Sequence, residues 1–311
     1  MLTVVYGIIG LVLLYYGAEF LVKGGSAVAL KMKVSPLVIG LTLVAYATSA
    51  PEMVVSIDAA LKGFGDVSIG NIVGSNICNI ALILGLCATI TPLKVNEKLL
   101  KSDTLLMIAA AAVLLIFYAI NRGVNRYEAA FLLLGSLSYT FWSIYASRRE
   151  NASSDVPEKV KYPLWIALLM VAGGLAALIG GAKLFVNAAI DLARWCGVSD
   201  AVIGLTVVAI GTSLPELATS VVAAIRKEQD IAIGNVIGSN IFNILGILGV
   251  VPVISPLKNY SINMVDLGTM MAFSLLLLPL MRTQWKISRG EGAVLLLGYI
   301  AYTGYLILYH S

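Results

Sequence analysis

Residues 38–52 read VIGLTLVAYATSAPE, and residues 202–216 read VIGLTVVAIGTSLPE. The two stretches lie 164 residues apart. The same offset aligns residues 34–94 with 198–258 without a gap, at 33 identities in 61 positions. Within that block, IGNIVGSNICNI at 69–80 faces IGNVIGSNIFNI at 233–244, and Pro92-Leu93-Lys94 faces Pro256-Leu257-Lys258. Apolar composition alone gives scattered matches of Leu, Val and Ala. It does not repeat T-S-x-P-E and G-N-x-x-G-S-N-I-x-N-I in register, so the chain is an internal duplication.

The repeat is embedded in a chain that is 59% hydrophobic and 12% charged, with a mean hydropathy of +0.92. Soluble domains are about 45–50% apolar and about 25% charged. This chain has too little polar surface to coat a water-facing globule, and a lipid bilayer is its natural surrounding. A helix needs roughly 20 apolar residues to cross the hydrocarbon core. Ten such runs are present, at 3–22, 36–61, 69–90, 103–121, 126–146, 164–188, 200–224, 232–254, 264–282 and 291–309. Residues 147–163, SRRENASSDVPEKVKYP, form a polar linker too short to be a domain. The expected fold is an all-α membrane protein of ten transmembrane helices in two five-helix halves, 1–146 and 164–311. The first run lacks a basic flank and a small-residue cleavage site, and reads as a span rather than a signal peptide.

The net charge of +4 does not point to nucleic acid, because the basic residues sit in short clusters between apolar runs. Cys78, Cys87 and Cys196 show no CxxC spacing, and neither a disulfide framework nor a zinc site is expected. The single histidine, His310, is penultimate.

Lysine and arginine set the orientation of the spans. The loops after the odd-numbered spans hold fifteen of them, and the loops after the even-numbered spans hold five. The odd-numbered loops, including 147–163, are therefore cytoplasmic, and both termini face outward. With five spans per half, the first half starts outside and the second inside, so the repeats are inverted. Inverted repeats are an architecture of secondary transporters, with the ion site near the midplane at the repeat interface.

Glu52 and Glu216 lie deep inside apolar runs. An acidic side chain at the membrane centre costs about 2.5–3.5 kcal/mol on insertion scales. The motif blocks hold no Lys or Arg at membrane depth to neutralise these acids, which makes a cation from solution the expected counterion. Pro51 and Pro215 break the helical hydrogen-bond ladder just before each glutamate, freeing the carbonyls of Ala47 and Gly211 and loosening those of Thr48 and Thr212. Thr48 and Ser49, four and three residues before Glu52, share its helix face, as Thr212 and Ser213 share that of Glu216. In the third and eighth runs Asn71, Ser75 and Asn79 make one polar stripe, repeated by Asn235, Ser239 and Asn243. Asn76 and Asn240, like Asn71 and Asn235, suit helix-to-helix bonding as well as ion contact. Asn79 and Asn243, one turn beyond Ser75 and Ser239, are the better coordination candidates. All these donors are hard oxygens. Ca²⁺ takes 6–8 of them in flexible geometry, and two carboxylates balance its charge. The motif positions offer no Cys, Met or His for softer metals.

These paired strings resemble the alpha repeats of the sodium/calcium exchanger family, within the wider calcium/cation antiporter superfamily. The motif match covers 61 residues in each half. Proton-coupled relatives usually carry Gly-Asn-x-x-Glu where this chain has Thr-Ser-x-Pro-Glu. The resemblance implies a secondary antiporter, not an enzyme, working by alternating access, with Na⁺ influx driving Ca²⁺ export. Ca²⁺ and Na⁺ are then transported ions rather than cofactors. It implies that Glu52 and Glu216, with the carbonyls of Thr48 and Thr212, hold Ca²⁺. Ser49, Ser75, Ser213 and Ser239, with the backbones of Ala45 and Ala209, would line the Na⁺ sites. Asn79 and Asn243 would take the paired central positions. Sliding of the first and sixth spans would switch access. The implied location is the plasma membrane, and the implied working unit a single chain.

Three features depart from the family pattern. Asn occupies both central positions where relatives commonly have one Asp, which limits the site to two negative charges. Ala47-Thr48 replaces the usual Gly-Thr of the first repeat. No long loop follows the fifth span, so calcium-sensing regulatory domains have no place there. The alternative partner ion is H⁺, since glutamates carry protons, giving a Ca²⁺/H⁺ or other divalent-cation exchanger. An intramembrane acid-pair protease is disfavoured by the Pro-Glu context and the absence of an Asp pair.

The charge bias makes a direct prediction. Single cysteines placed between Ser147 and Pro163, on a cysteine-free background, should react only from the cytoplasmic side. Labelling of Ser153→Cys in intact cells by an impermeant reagent would reverse the inferred orientation.

Overall fold

A computed structural model describes residues 2–151, 162–197, 207, 209–257 and 263–310. Those residues are almost entirely helical. The long elements are α1 (Leu2–Met32), α2 (Pro36–Thr48), α3 (Ala50–Leu61), α4 (Gly65–Ile90), α5 (Leu99–Asn121), α6 (Arg126–Asn151) and α7 (Leu164–Trp195). After a short turn of helix at Ala209–Gly211 come α8 (Leu214–Ile225), α9 (Gln229–Ile254), α10 (Met264–Arg282) and α11 (Arg289–His310). Eight of these helices are long and apolar enough to cross a membrane, and the broken pair α2–α3 makes a ninth span, among the described residues. Of the run expected at 200–224, residues 200–206 and 208 lie outside the described residues. The rest of that run is the Ala209–Gly211 turn and α8.

Several helices outlast the apolar runs. α1 continues ten residues past the expected end at 22, and α7 seven past 188. Polar residues in these extensions are accommodated at the surface. Lys23 pairs with Glu19 one turn back at 2.6 Å, and Arg226 reaches the same carboxylate at 2.6 Å. α6 likewise runs into the expected linker as far as Asn151. Ser147 is buried there and accepts a hydrogen bond from the Ser35 N–H at 2.8 Å, just where α2 starts.

α4 and α9 form the inner wall, with 78% of each apolar window buried, against 39% or less for the other long helices. α1 and α7 pack antiparallel along a seam of small residues seven apart. Gly10 meets Gly181, Gly17 meets Gly174, and Gly24 meets Ala167. A Cβ on Gly174 would lie 2.7 Å from the Gly17 carbonyl oxygen and 2.7 Å from the Leu21 nitrogen. Small residues at such a seam let helix backbones approach closely in lipid, where dispersion rather than water exclusion drives association.

The starts of α6 and α11 are fixed by matching capping boxes. Glu128 accepts from the Asn125 N–H at 2.8 Å, and Glu291 from the Ser288 N–H at 2.7 Å. Each reciprocates the cap side chain's own bond to the helix N-terminus. Beside them, two short antiparallel clips join distant segments. β1 (Leu93–Lys94) pairs with β2 (Lys286–Ile287), and Val124 bridges Leu257. These features recur at an offset of 163 (Glu128 and Glu291, Val124 and Ile287), one residue less than in the motif block. The same spacing relates two further contacts, Tyr139 to Asp103 at 3.0 Å and Tyr302 to Asp266 at 2.9 Å.

The seam makes the fold testable at a single position. Gly174→Ala forces a methyl into the α1 backbone and should destabilise the protein by about 1–3 kcal/mol, as overpacking does. Gly173→Ala, whose Cβ would meet nothing within 4 Å, should leave the detergent melting temperature unchanged or slightly raised. Equal melting temperatures for the two variants would remove the seam's role.

Candidate cation site

The site forms where two helices break. α2 and α3 are bent by 44° about Ser49, whose φ/ψ of −82°/7° is outside the helix. Ser213 adopts −87°/6° at the matching place before α8. Pro51 and Pro215 then sit in the first turn of a new helix, where a missing N–H costs nothing. Glu52 and Glu216 follow, also in the first turn, at the positive end of the helix dipole. The break thus puts a carboxylate at a helix N-terminus twice, and both side chains are buried at 1% exposure. They lie close together, each within hydrogen-bond reach of the serine at the other's helix break.

The polar contacts come in pairs that exchange under the repeat. Ser49 donates to Glu216 Oε1 at 2.8 Å, and Ser213 to Glu52 Oε1 at 3.1 Å. Thr48 donates to Asn235 Oδ1 at 3.1 Å, and Thr212 to Asn71 Oδ1 at 3.5 Å. Asn79 donates to Asn240 Oδ1 at 3.3 Å, and Asn243 to Asn76 Oδ1 at 3.0 Å. Every one of these bonds runs from one half of the chain to the other. Ser213 also reaches Ser75 at 3.4 Å. Within each half, Asn71 and Asn235 span the broken helix beside them. Asn71 donates to Ser56 at 3.0 Å and to the Glu52 carbonyl at 3.3 Å. Asn235 donates to Ser220 at 2.9 Å and to the Glu216 carbonyl at 3.4 Å.

Asn79 and Asn243 stand in π-helical stretches of α4 and α9, Cys78–Leu84 and Phe242–Ile247. Such stretches widen the helix by one residue and are frequent at functional sites.

After these bonds are made, a set of buried oxygens still has no hydrogen-bond partner. It includes Glu52 Oε2, Glu216 Oε2, Asn79 Oδ1, Asn243 Oδ1 and Ser239 Oγ, alongside the hydroxyls of Ser26, Ser68 and Thr219. Buried polar atoms are almost always paired, and a set of unpaired acceptors on neighbouring elements is the arrangement a cation satisfies. Among the described residues no group of three His, Cys, Asp or Glu side chains is assembled, so two carboxylates and neutral oxygens make up the donor set.

Of the residues marked by the sequence, Thr48, Ser49, Glu52, Ser75, Thr212, Ser213 and Glu216 take part in the contacts around the two helix breaks, and Asn79 and Asn243 in the two separate asparagine pairs. Ser239 is buried on α9, and its hydroxyl makes none of these bonds. The Ala45 carbonyl already accepts the Ser49 N–H at 3.0 Å and lies 3.2 Å from the Thr48 hydroxyl, an alternative acceptor for its single proton. In the second half the Ser213 N–H turns instead to Ile210, at 3.0 Å, rather than to Ala209. Ser56 and Ser220 were not singled out by motif reading, although both are identical in the repeat. The two ends of the site differ in burial. Thr48 and Asn235 are fully buried, whereas Thr212 and Asn71 are half-buried. Gly234 and Gly238 press on the backbone of Leu37–Leu41, while Gly70 is exposed.

The chain is 36% identical over a 335-residue alignment to the sodium/calcium exchanger MaX1 of Methanosarcina acetivorans, covering 95% of each. It is 36% identical over 258 residues to the inner membrane protein YrbG of Escherichia coli, covering 80% of this chain and 79% of that one. Among solved structures it matches the sodium-calcium exchanger NCX_Mj soaked with zero Na⁺ and Ca²⁺, with a TM-score of 0.84 and 36% identity. That match covers 98% of this chain and 99% of the other. A multi-pass helical membrane protein with this site and these relatives is a cation antiporter. The chain belongs to the sodium/calcium exchanger protein family, whose profile matches residues 2–145 and 166–308.

Proposed function

We propose that this protein is a secondary active antiporter that exchanges Na⁺ for Ca²⁺ by alternating access. The observation that carries the reading is the set of unpaired buried oxygens from Glu52, Glu216, Asn79, Asn243 and Ser239. Two carboxylates neutralise one Ca²⁺, and hydroxyl and amide oxygens complete a flexible hard-donor shell. Ser49 and Ser213 donate to the other carboxylate oxygens, which leaves one oxygen of each acid available to a shared ion. Thr48 and Thr212 carbonyls would add to the Ca²⁺ shell. Na⁺, with half the charge, suits the outer positions lined by Ser49, Ser75, Ser213 and Ser239 and by the Ala45 and Ala209 backbones. The relative named a sodium/calcium exchanger supports Na⁺ as the coupling ion.

The proposed architecture is ten transmembrane helices in two inverted five-helix repeats, 1–146 and 164–311, joined by a cytoplasmic 147–163 linker. Both termini lie outside the plasma membrane, and one chain is the working unit. In that orientation the α2 start is cytoplasmic. The packing of Gly234 and Gly238 onto Leu37–Leu41 then closes the cytoplasmic end, and the half-buried Asn71 and Thr212 mark the outward end. Alternating access exchanges these roles between the two halves, for which the crossed hydrogen bonds provide equivalent partners.

Uptake of ⁴⁵Ca²⁺ by proteoliposomes, with only the counter-ion varied, tests the reading. An opposing Na⁺ gradient should drive uptake at least tenfold above a Na⁺-free control, and a pH gradient alone should not. Uptake driven by the pH gradient alone would replace Na⁺ by H⁺. Uptake without any counter-ion would make the protein a passive pathway.

A further inference from the structure

The central asparagines belong to longer chains of contacts. Asn79 donates to Asn240 at 3.3 Å, and Asn240 in turn donates to the sulfur of Met107 at 3.5 Å. Asn243 donates to Asn76 at 3.0 Å, and Asn76 donates to the sulfur of Met270 at 3.7 Å. All six side chains are buried at 1% exposure or less. Met107 on α5 and Met270 on α10 occupy equivalent places at the 163-residue offset. The same three-residue relay is therefore built twice, and each one passes from one half of the chain to the other and back.

The chemistry of the end residue gives each relay a direction. A carboxamide can be turned over, presenting either its oxygen or its N–H₂ to a neighbour with little change in shape. A thioether can only accept. Met270 therefore receives the N–H of Asn76, which turns Asn76 Oδ1 toward Asn243. That oxygen can only be met by the N–H of Asn243, which leaves Asn243 Oδ1 as the free end. Met107 and Asn240 do the same for Asn79. The free ends are the two amide oxygens without hydrogen-bond partners. In the opposite sense each relay would present N–H groups, with their positive partial charge, to a cation.

We propose that Asn76 and Asn240, anchored on Met270 and Met107, are positioning residues. They hold Asn243 and Asn79 with the carbonyl oxygen toward the transported cation. This inference rests on the proposed role of Asn79 and Asn243 as ion ligands. Neither Asn76 nor Asn240 needs to touch the ion. An uncharged central position is thereby made a dependable donor, where a carboxylate would need no orienting because both its atoms accept.

The experiment uses the full-length protein in proteoliposomes, reading Na⁺-driven ⁴⁵Ca²⁺ uptake against Ca²⁺ concentration. Asn76→Leu and Asn240→Leu should raise the half-saturating Ca²⁺ about tenfold or more, as loss of a buried hydrogen-bond partner does, with a smaller change in maximal rate. Met107→Leu and Met270→Leu conserve volume and should fold normally. Each should raise the half-saturating Ca²⁺ about two- to fivefold, the effect of one weak hydrogen bond. Asn79→Ala and Asn243→Ala separate the two layers of the argument. If these variants transport Ca²⁺ with wild-type dependence, the ligand role itself is wrong. If they are impaired while the Met→Leu and Asn→Leu variants keep wild-type half-saturation, the relay is wrong. A drop in melting temperature and maximal rate at unchanged half-saturation would likewise reduce these residues to packing and overturn the proposal.

Discussion

Two carboxylates, buried beside each other without a basic partner, are the constraint on which the rest of this structure depends. None of the ion pairs among the described residues involves Glu52 or Glu216. Those pairs lie at the periphery, on Glu19, Asp58, Glu97 and Glu150. An unneutralised carboxylate in a low-dielectric interior is costly, and two repel each other. The protein meets part of this cost with helix N-termini and serine donors, and leaves one oxygen of each acid without a hydrogen-bond partner. The helix breaks at Ser49 and Ser213 follow from that need. An unbroken helix would place each acid mid-helix, away from a helix N-terminus.

The duplication gives the site its economy. Each serine–glutamate, threonine–asparagine and asparagine–asparagine bond at the site has a partner related by exchange of the halves, and each crosses between them. Neither half can hold its own glutamate without the other's serine. A site assembled in this way is stable as a closed set of reciprocal contacts. In the proposed alternating access it would be exposed at either end without changing the kinds of contact it makes. In this structure the ends already differ, with Asn235 and Thr48 sealed while Asn71 and Thr212 approach the surface. The α1–α7 seam, where backbones touch at glycines seven residues apart, joins the two long helices into one unit beside this core.

Much of the site was legible in the sequence because its chemistry is carried by strings that recur in register. Identity at a fixed offset singles out Glu52, Ser49, Asn79 and their counterparts against a background in which most apolar positions are interchangeable. The helix break was legible from Pro51 and Pro215. What escaped has physical reasons. Met107 and Met270 sit in long apolar runs where methionine reads as filler, and their spacing is 163 rather than 164. Only the geometry shows that their sulfurs end a directed chain. Ser56 and Ser220 repeat faithfully, but a serine one turn past a glutamate has no signature of its own. The helices outran their apolar runs because a helix does not end where lipid ends. Lys23 and Arg226 stay on or beside α1 by pairing with Glu19, a contact made between residues 207 positions apart.

The central claim is that Glu52 and Glu216 share one divalent ion, and Ca²⁺ binding to detergent-purified protein tests it most directly. Binding should be measured by calorimetry for wild type, Glu52→Gln and Glu216→Gln, with folding checked by melting temperature. The isosteric amide keeps the shape and removes one negative charge. The account predicts one Ca²⁺ per wild-type chain and loss of binding by at least a hundredfold in each single variant, about 2.7 kcal/mol or more. Wild-type affinity in either folded variant would contradict a site built on both carboxylates.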